Sequence, residues 1–267
     1  MPLTAEQREI LSLLVRNRTP ESYVAGGSVI NRKNSSPRFS RDFDIFHETQ
    51  AEVAYAANKD KEVLERSGYQ VEWILQQPGF FRATIISGSR SQQHKIEWAV
   101  ESSFRFFPLV NEDEFGYRLH DADLATNKIL ALVGRQTARD FLDAVYLDQT
   151  YLSLGAVAWA ASGKDPGLTP EFIINEAKRE SRYTQAALEE ATEELDLVVP
   201  VDIQRTKQSW LRACHEADEL FKILPVEQLG CLYLDALMRP RTPTRDSLAK
   251  LTPHFGTLRG TFPRIVG

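Results

Sequence analysis

The chain has 267 residues, of which 42% are hydrophobic and 26% are charged, the proportions of an ordinary soluble globular protein. No stretch approaches about 18 uninterrupted apolar residues, so neither a transmembrane helix nor a membrane partner is expected. Residues 1–8 lack the basic start and apolar core of a signal peptide, and we therefore expect a cytoplasmic protein.

Helical periodicity, apolar runs and turn residues predict alternating helices and strands before residue 104. The predicted helices cover residues 4–17, 27–33 and 50–67. The predicted strands cover residues 22–26, 42–47, Gln70–Leu75, Phe80–Ile86 and Lys95–Val100, with a turn at Ser87-Gly88-Ser89 before the last of them. Residues 104–118 show no regular pattern, and from Asp121 onward the pattern is helical. This order predicts an α+β protein, with a mixed sheet and flanking helices followed by a helical domain. The predicted domains are residues 1–120 and 121–238, followed by a basic segment at 239–267.

The net charge of −5 is distributed unevenly along the chain. Residues 239–267 carry six Lys or Arg against Asp246 alone, which gives this segment +5 and leaves −10 for the rest. A segment of this kind can contact a phosphate backbone. The alternative is a solvated tail that packs through its apolar side chains, Phe255, Leu258, Phe262 and Ile265.

Cys214 and Cys231 are the two cysteines, and both are predicted to be reduced core residues in helical sequence. None of the five histidines stands at metal-ligand spacing from either cysteine, so a zinc site is not expected.

Asp42 and Asp44 alternate with apolar residues in the second predicted strand. Alternate residues of a strand point to the same face, so the two carboxylates project together while Phe43 and Ile45 face a core. Two such carboxylates repel each other unless a cation lies between them, and oxygen ligands of this kind suit Mg²⁺. The alternative is a pair of solvated loop residues.

Gly26, Gly27 and Ser28 form a predicted turn between the first strand and a short helix. Glycines allow the backbone to approach a phosphate closely, and a following helix would direct its N–H groups to that phosphate. Any tight turn can use such residues, but their combination with the two aspartates predicts metal-dependent chemistry on a nucleoside triphosphate.

Glu97 stands in the middle of an apolar strand, on the same predicted face as Lys95 and Ala99. It either faces solvent or joins Asp42 and Asp44 as a third carboxylate. In the second case it would complete a two-metal site and could accept a proton from an attacking hydroxyl.

Lys128, Arg135, Arg139 and Asp143 are spaced by seven, four and four residues, which places them in one stripe if the helix is continuous through Gly134. One interpretation is a solvent face with a salt bridge from Arg139 to Asp143. The other is a cationic ridge that holds a triphosphate, with Asp143 orienting Lys128 or Arg135. In that case we expect Lys128 to meet phosphate rather than the core.

These motifs, in this order, resemble those of the AbiEii-type nucleotidyltransferase toxins of type IV toxin–antitoxin systems, a branch of the DNA polymerase β-like nucleotidyltransferase superfamily. The resemblance covers about residues 20–150. It rests on the Gly-Gly-Ser turn, Arg38-x-Ser40-x-Asp42-x-Asp44, Glu97 (where this family often has Asp), Lys128-x-x-Ala131 with Arg135, and Arg139-Asp140-x-x-Asp143.

The resemblance implies an α/β nucleotidyltransferase domain, a helical C-terminal domain, and transfer of a nucleoside monophosphate from an NTP with release of pyrophosphate. It implies catalytic roles for Asp42, Asp44, Lys128 and Asp143, nucleotide contacts from Gly26, Gly27, Ser28, Ser40 and Arg139, and Mg²⁺ held by Asp42, Asp44 and Glu97.

Some members of this family extend the 3′ end of tRNA and so stop translation, and an antitoxin protein is an implied partner. We expect RNA to reach the site along the basic loop Arg32–Arg41 and the basic segment. Two alternatives are nucleotidylation of a protein or small molecule by the same site, and a non-catalytic nucleotide-binding regulator.

Overall fold

The computed structural model describes residues 3–33, 35–40, 42–87, 93–135, 137–179, 186, 188–190, 195, 197–198 and 200–263. The chain divides into two compact units. The first comprises Met1–Ser103 and Leu109–His120, and the second comprises Phe104–Pro108 and Asp121–Gly267. The predicted turn at Gly88-Ser89 lies outside the described residues, as do Arg41, Arg264 and Ile265.

Helices and strands alternate in the first half of the chain, and helices predominate in the second. The helices are α1 (Ala5–Leu14), α2 (Gly26–Ile30), α3 (Gln50–Arg66), α4 (Asp121–Arg135), α5 (Ala138–Thr150), α6 (Leu154–Ala161), α7 (Pro170–Arg179) and α8 (Ile203–Phe221). The strands are β1 (Ser22–Ala25), β2 (Asp42–His47), β3 (Tyr69–Gln77), β4 (Phe80–Ser87), β5 (Gln93–Val100), β6 (Phe104–Arg105), β7 (Val110–Glu112), β8 (Gly116–Arg118), β9 (Leu232–Leu234), β10 (Thr252–His254) and β11 (Thr257–Leu258). This is the predicted α+β architecture, and it is confirmed.

The first unit is built on one mixed sheet with strand order β3-β4-β5-β2-β1-β8-β7. Strand β2 lies in the middle, antiparallel to β1 and parallel to β5. Strands β7 and β8 extend the sheet beyond β1, so the expectation of irregular structure over residues 104–118 is wrong. Each of these strands has only three residues, too few for an alternating pattern to be visible in the sequence.

One face of this sheet forms the core of the first unit. Phe43, Ile45 and Trp98 are almost completely buried on that face, and α3 packs against β2 and β5. The Asp60 carboxylate of α3 accepts a 2.7 Å hydrogen bond from the Trp98 indole and a 2.6 Å hydrogen bond from the buried Arg18 guanidinium. The helix is thereby joined to the sheet by a charged group whose hydrogen bonds offset its burial.

In the second unit, the residues from Lys128 to Asp143 lie on two helices. Helix α4 ends at Arg135, and α5 begins at Ala138 with Thr137 as its N-cap, whose hydroxyl accepts from the Asp140 backbone N–H. The helix is therefore not continuous through Gly134, and the condition for a single stripe of these residues is not met. A threonine hydroxyl that caps a helix start competes with helix continuation at that point, and Gly134 weakens the turn before it.

The second unit also contains short strands that the helical pattern did not predict. Strand β9 pairs with β10, and β11 pairs with β6. Cys214 lies in α8, but Cys231 precedes β9 and is not helical as expected. Both cysteines are free and buried, as predicted, and burial raises the pKa of Cys214 to about 12 and that of Cys231 to about 11. Within the described parts of the chain, no helix is long and apolar enough to cross a bilayer.

Candidate functional site

Strand β2 presents the two aspartates as the alternation predicted. Phe43 and Ile45 are buried, whereas Asp42 and Asp44 are half-buried on the opposite face. The apolar residues thus fix which way the strand faces, because a shift of one residue would bury both carboxylates. The predicted common face of Asp42 and Asp44 is confirmed.

The glycine turn lies directly against the aspartate pair. Gly26 has a φ of +70°, a backbone conformation that favours glycine, and a Cβ added there would lie 1.9 Å from the Asp44 Oδ2 atom. A Cβ added at Gly27 would lie 2.9 Å from Arg38 Nη2 and 3.0 Å from Ser40 Oγ. The glycine turn and the segment that ends in the aspartate pair are about fifteen residues apart in sequence, but they pack against each other. The side chains of Arg38, Ser40 and Asp44 occupy the space that a side chain at Gly26 or Gly27 would need.

The loop before β2 is held by polar contacts. Arg38 is buried and donates a 3.1 Å hydrogen bond to the Phe39 carbonyl, and the Ser40 hydroxyl donates to the Asp42 carbonyl at 3.3 Å. The Gln7 amide of α1 donates to the Ser40 carbonyl. These contacts fix the approach of the chain to Asp42.

The Ser28 side chain is not arranged as an open phosphate ligand. Its hydroxyl is fully buried and donates a 3.3 Å hydrogen bond to the Ala25 carbonyl. The first N–H groups of a helix have no partner within that helix, so the backbone of this turn is the part suited to an anion. The nucleotide contacts assigned to Gly26, Gly27 and Ser28 stay predictions.

Among the described residues of the basic loop Arg32–Arg41, part of the positive charge is held by the protein itself. Arg38 is buried, and the Arg32 guanidinium donates a 2.7 Å hydrogen bond to the Val29 carbonyl. Lys33 is exposed, and Arg41 lies outside the described residues. Arg38 supports the glycine turn, so its expected role as a surface contact for RNA is wrong.

Glu97 joins the aspartates through the parallel pairing of β2 and β5. The register places Lys95 opposite Asp42 and Glu97 opposite Asp44. The Lys95 ammonium lies 3.1 Å from Asp42 Oδ2 and 3.2 Å from Glu97 Oε1, and Arg82 Nε of β4 lies 2.9 Å from the same glutamate oxygen. Of the two alternatives for Glu97, the structure therefore favours the one in which it lies beside the aspartates.

The carboxylates are compatible with Mg²⁺ at the aspartate pair. Asp42 and Asp44 offer hard oxygen ligands beside a glycine turn, and a magnesium ion bound by two carboxylates keeps positions for substrate phosphates. Within the described residues, no group of three or more His, Cys, Asp or Glu is arranged to hold a metal ion. The assignment of Glu97 as a third metal ligand stays a prediction.

In the second unit, Lys128 forms a buried ion-pair network with two aspartates of α5. Its ammonium lies 2.7 Å from Asp140 Oδ1 and 3.0 Å from Asp143 Oδ2, and all three side chains are almost completely buried. Lys128 therefore lies in the core of the second unit, contrary to the expectation, whereas its contact with phosphate and the catalytic roles of Lys128 and Asp143 stay predictions. The predicted orienting contact from Asp143 is present, whereas a solvent-facing Asp143 is excluded because its side chain has no exposed area.

Asp140 is the member of this network to which the sequence motifs assign no role, although it stands in the Arg139-Asp140-x-x-Asp143 motif. Burial alone would raise the pKa of Asp140, but Lys128, Arg135 and the Thr137 hydroxyl outweigh it and hold the pKa below its usual range. Asp140 and Asp143 are three residues apart, which places both on one face of α5. That spacing is the signal in the sequence that points to Asp140.

Lys128, Arg135 and Arg139 do not lie in a single stripe along one helix. Arg135 is at the end of α4, about half exposed, with Nη2 3.1 Å from Asp140 Oδ2. Arg139 is half-buried on α5, and its nucleotide-binding role stays a prediction.

The fold is shared with solved nucleotidyltransferase structures. The nucleotidyltransferase toxin MenT4 of Mycobacterium tuberculosis matches with a TM-score of 0.57 at 14% identity, over 83% of each chain. JHP933 of Helicobacter pylori matches with a TM-score of 0.51 at 16% identity, over 83% of this chain and 93% of its own. A putative nucleotidyltransferase of H. pylori matches with a TM-score of 0.50 at 15% identity, over 82% of this chain and 96% of its own.

No protein-family model matches the sequence, and no curated protein matches it significantly. At these identities the structural matches establish the fold, and they confirm the nucleotidyltransferase fold that the sequence motifs implied.

Proposed function

We propose that this chain is a nucleotidyltransferase that moves a nucleoside monophosphate from an NTP to an acceptor hydroxyl. The observation that carries the proposal is the packing of the Asp44 carboxylate against Gly26, where any side chain would collide with it. The carboxylate pair, which suits a cation, therefore lies directly beside the glycine turn, whose backbone suits a phosphate. The shared fold supports the same activity.

Asp42 and Asp44 would hold Mg²⁺, which when bound neutralises charge on the triphosphate and on the leaving pyrophosphate. The acceptor oxygen attacks the α-phosphorus, the bond to the bridging oxygen of the β-phosphate breaks, and the acceptor proton passes to a base or to water. The glycines leave the backbone accessible to phosphate oxygens, and the Arg38 and Ser40 contacts keep the turn in place.

We propose RNA as the acceptor, specifically the 3′ end of tRNA, and inhibition of translation as the result. Three exposed apolar side chains of the basic C-terminal segment, Phe255, Leu258 and Phe262, support this proposal. These side chains are 47%, 76% and 74% exposed, so the alternative in which the C-terminal segment packs through them is wrong. Exposed aromatic rings among arginines are a common means of binding nucleic acid, since bases stack on the rings while the cations neutralise phosphates.

The proposal is tested by incubating the protein with each labelled NTP, Mg²⁺ and total RNA, and by separating the labelled products. We expect labelled tRNA with the wild type and at least about a hundredfold less with Asp42→Ala or Asp44→Ala, because electrostatic stabilisation at a reacting phosphate has effects of that size. Circular dichroism should show both variants folded, since each substitution removes one of two adjacent like charges.

Each other outcome identifies a different function. Label on protein or on a small molecule would replace RNA as the acceptor and leave nucleotidyl transfer intact. Nucleotide binding without transfer to any acceptor would favour a non-catalytic regulator. Full transfer by either aspartate variant would overturn the assignment of the site.

A further inference from the structure

Lys95 of the first unit contacts two of the proposed metal ligands and has no assigned role. Its ammonium contacts two carboxylates, from Asp42 on β2 and Glu97 on β5, at 3.1 Å and 3.2 Å. Its side chain is about a third exposed, whereas those carboxylates are more buried. The lysine therefore reaches inward to the carboxylates, although it could place its charge in water.

Lys95 lies between two of the three carboxylates that a second metal ion would need as ligands. In a two-metal site, carboxylates bridge or flank two ions about 3.5–4 Å apart, and each ion draws its oxygens to about 2.0–2.1 Å. Around Lys95 the oxygens stand at the longer distance that an ammonium requires. A magnesium ion could bind both oxygens only after the lysine had left and the two carboxylates had moved closer together.

The local charge also favours a single ion. Asp42, Asp44 and Glu97 supply three negative charges, and Lys95 and Arg82 supply two positive charges, which leaves −1 at the cluster. Glu97 Oε1 already contacts both cations, with Arg82 Nε at 2.9 Å. One divalent ion at the aspartate pair reverses the net charge, and a second would add to a site that is already positive.

We propose that Lys95 is an internal cation that takes the place of a second metal ion, so that the site binds one divalent ion, held by Asp42 and Asp44. The proposal rests on the nucleotidyltransferase function above and deepens it. Glu97 is then a ligand of Lys95 and Arg82 rather than of a metal, which fits the absence of a three-carboxylate metal cluster among the described residues.

The experiment counts all Mn²⁺ ions bound per chain by electron paramagnetic resonance, first without nucleotide and then with one non-hydrolysable NTP analogue bound per chain. We expect one ion for the wild type and two for Lys95→Met. We also expect the first ion to bind about tenfold more tightly in that variant, because a positive charge a few ångströms away has been removed. Lys95→Arg should restore the count of one.

Arg82→Met provides the matched control. It removes a cation that contacts Glu97 but, in the described contacts, does not bridge to Asp42, so its ion count should stay at one. Two ions in the wild type, or one ion in Lys95→Met that remains folded, would overturn the role of Lys95 while nucleotidyl transfer stood. No ion bound by any form would overturn the metal site and this inference together.

Discussion

At the scale of single residues, the site depends on what Gly26 lacks. Its left-handed backbone and the Asp44 carboxylate together leave no room for a Cβ. Gly134, by contrast, is a helical glycine with open space around its Cβ position. The same substitution at these two positions therefore separates a requirement of the site from a general effect of replacing glycine.

Gly26→Ala should displace the Asp44 carboxylate and abolish most nucleotidyl transfer. It should also lower the free energy of unfolding by about 1–3 kcal/mol, the usual range for a strained backbone conformation. Gly134→Ala should keep full transfer and gain up to about 1 kcal/mol, because alanine favours a helix interior. Urea unfolding and labelled-NTP transfer measure both effects. Full transfer by Gly26→Ala would show that the position of Asp44 does not matter to the chemistry.

At the scale of secondary-structure elements, the ends of α4 and α5 determine what Lys128 does. Because α4 stops at Arg135 and a Thr137 cap starts α5, Asp140 and Asp143 face back towards Lys128. A buried ammonium with two carboxylate partners stabilises the helix pair only while all three charges are present. Lys128 is thus a structural residue of the second unit in addition to any part in transfer.

Lys128→Met should lower the free energy of unfolding by about 3–5 kcal/mol, because it removes the buried cation that contacts both Asp140 and Asp143. Arg135→Met removes another cation that contacts Asp140, but one that is about half exposed, so its cost should stay below about 1 kcal/mol. Denaturant titrations of the two variants give the comparison. If the two variants lose equally little free energy of unfolding, the ion pairs of Lys128 do not stabilise the second unit.

The difference in unfolding free energy between the wild type and Lys128→Met should depend on pH, and its direction follows from the pKa of Asp140. The folded pKa of Asp140 is lowered, so its contribution to stability is present above the ordinary carboxylate pKa of about 4 and is lost as the pH falls towards the folded value. The stability gap between the wild type and Lys128→Met should accordingly narrow in acid.

The sequence predicts a feature correctly where the residues of a single element determine that feature on their own. The alternation in β2 gave the buried face and the common face of Asp42 and Asp44, since both follow from a period of two. The contact of Lys95 with Asp42 depends on a parallel register between strands about fifty residues apart, and no local pattern encodes that register. Strands β7 and β8 were missed because three residues are too few to show a period.

At the scale of the whole molecule, the distribution of charge on the protein bears on whether the acceptor is RNA or a small molecule. The chain carries −5 in total, and residues 239–267 carry +5 of their own. An acidic protein repels RNA in general, so binding must come from a local basic surface. With Arg38 buried, the C-terminal segment is the better supported of the two surfaces that the sequence suggested.

RNA affinity should fall steeply between about 50 and 200 mM salt, because each neutralised phosphate releases counterions. Charge reversal at Arg239, Arg241 and Arg245 should flatten this dependence. Reversal of Lys59, Lys61 and Arg66 on α3, which changes the net charge equally, should leave the slope nearly unchanged. Phe262→Ala should weaken binding by a similar factor at every salt concentration, since stacking on an exposed ring releases no counterions. Filter binding of labelled tRNA measures all of these slopes. If both triple variants lose the salt dependence equally, RNA affinity depends on the net charge alone. If no RNA binds at about 50 mM salt, the acceptor is a protein or a small molecule.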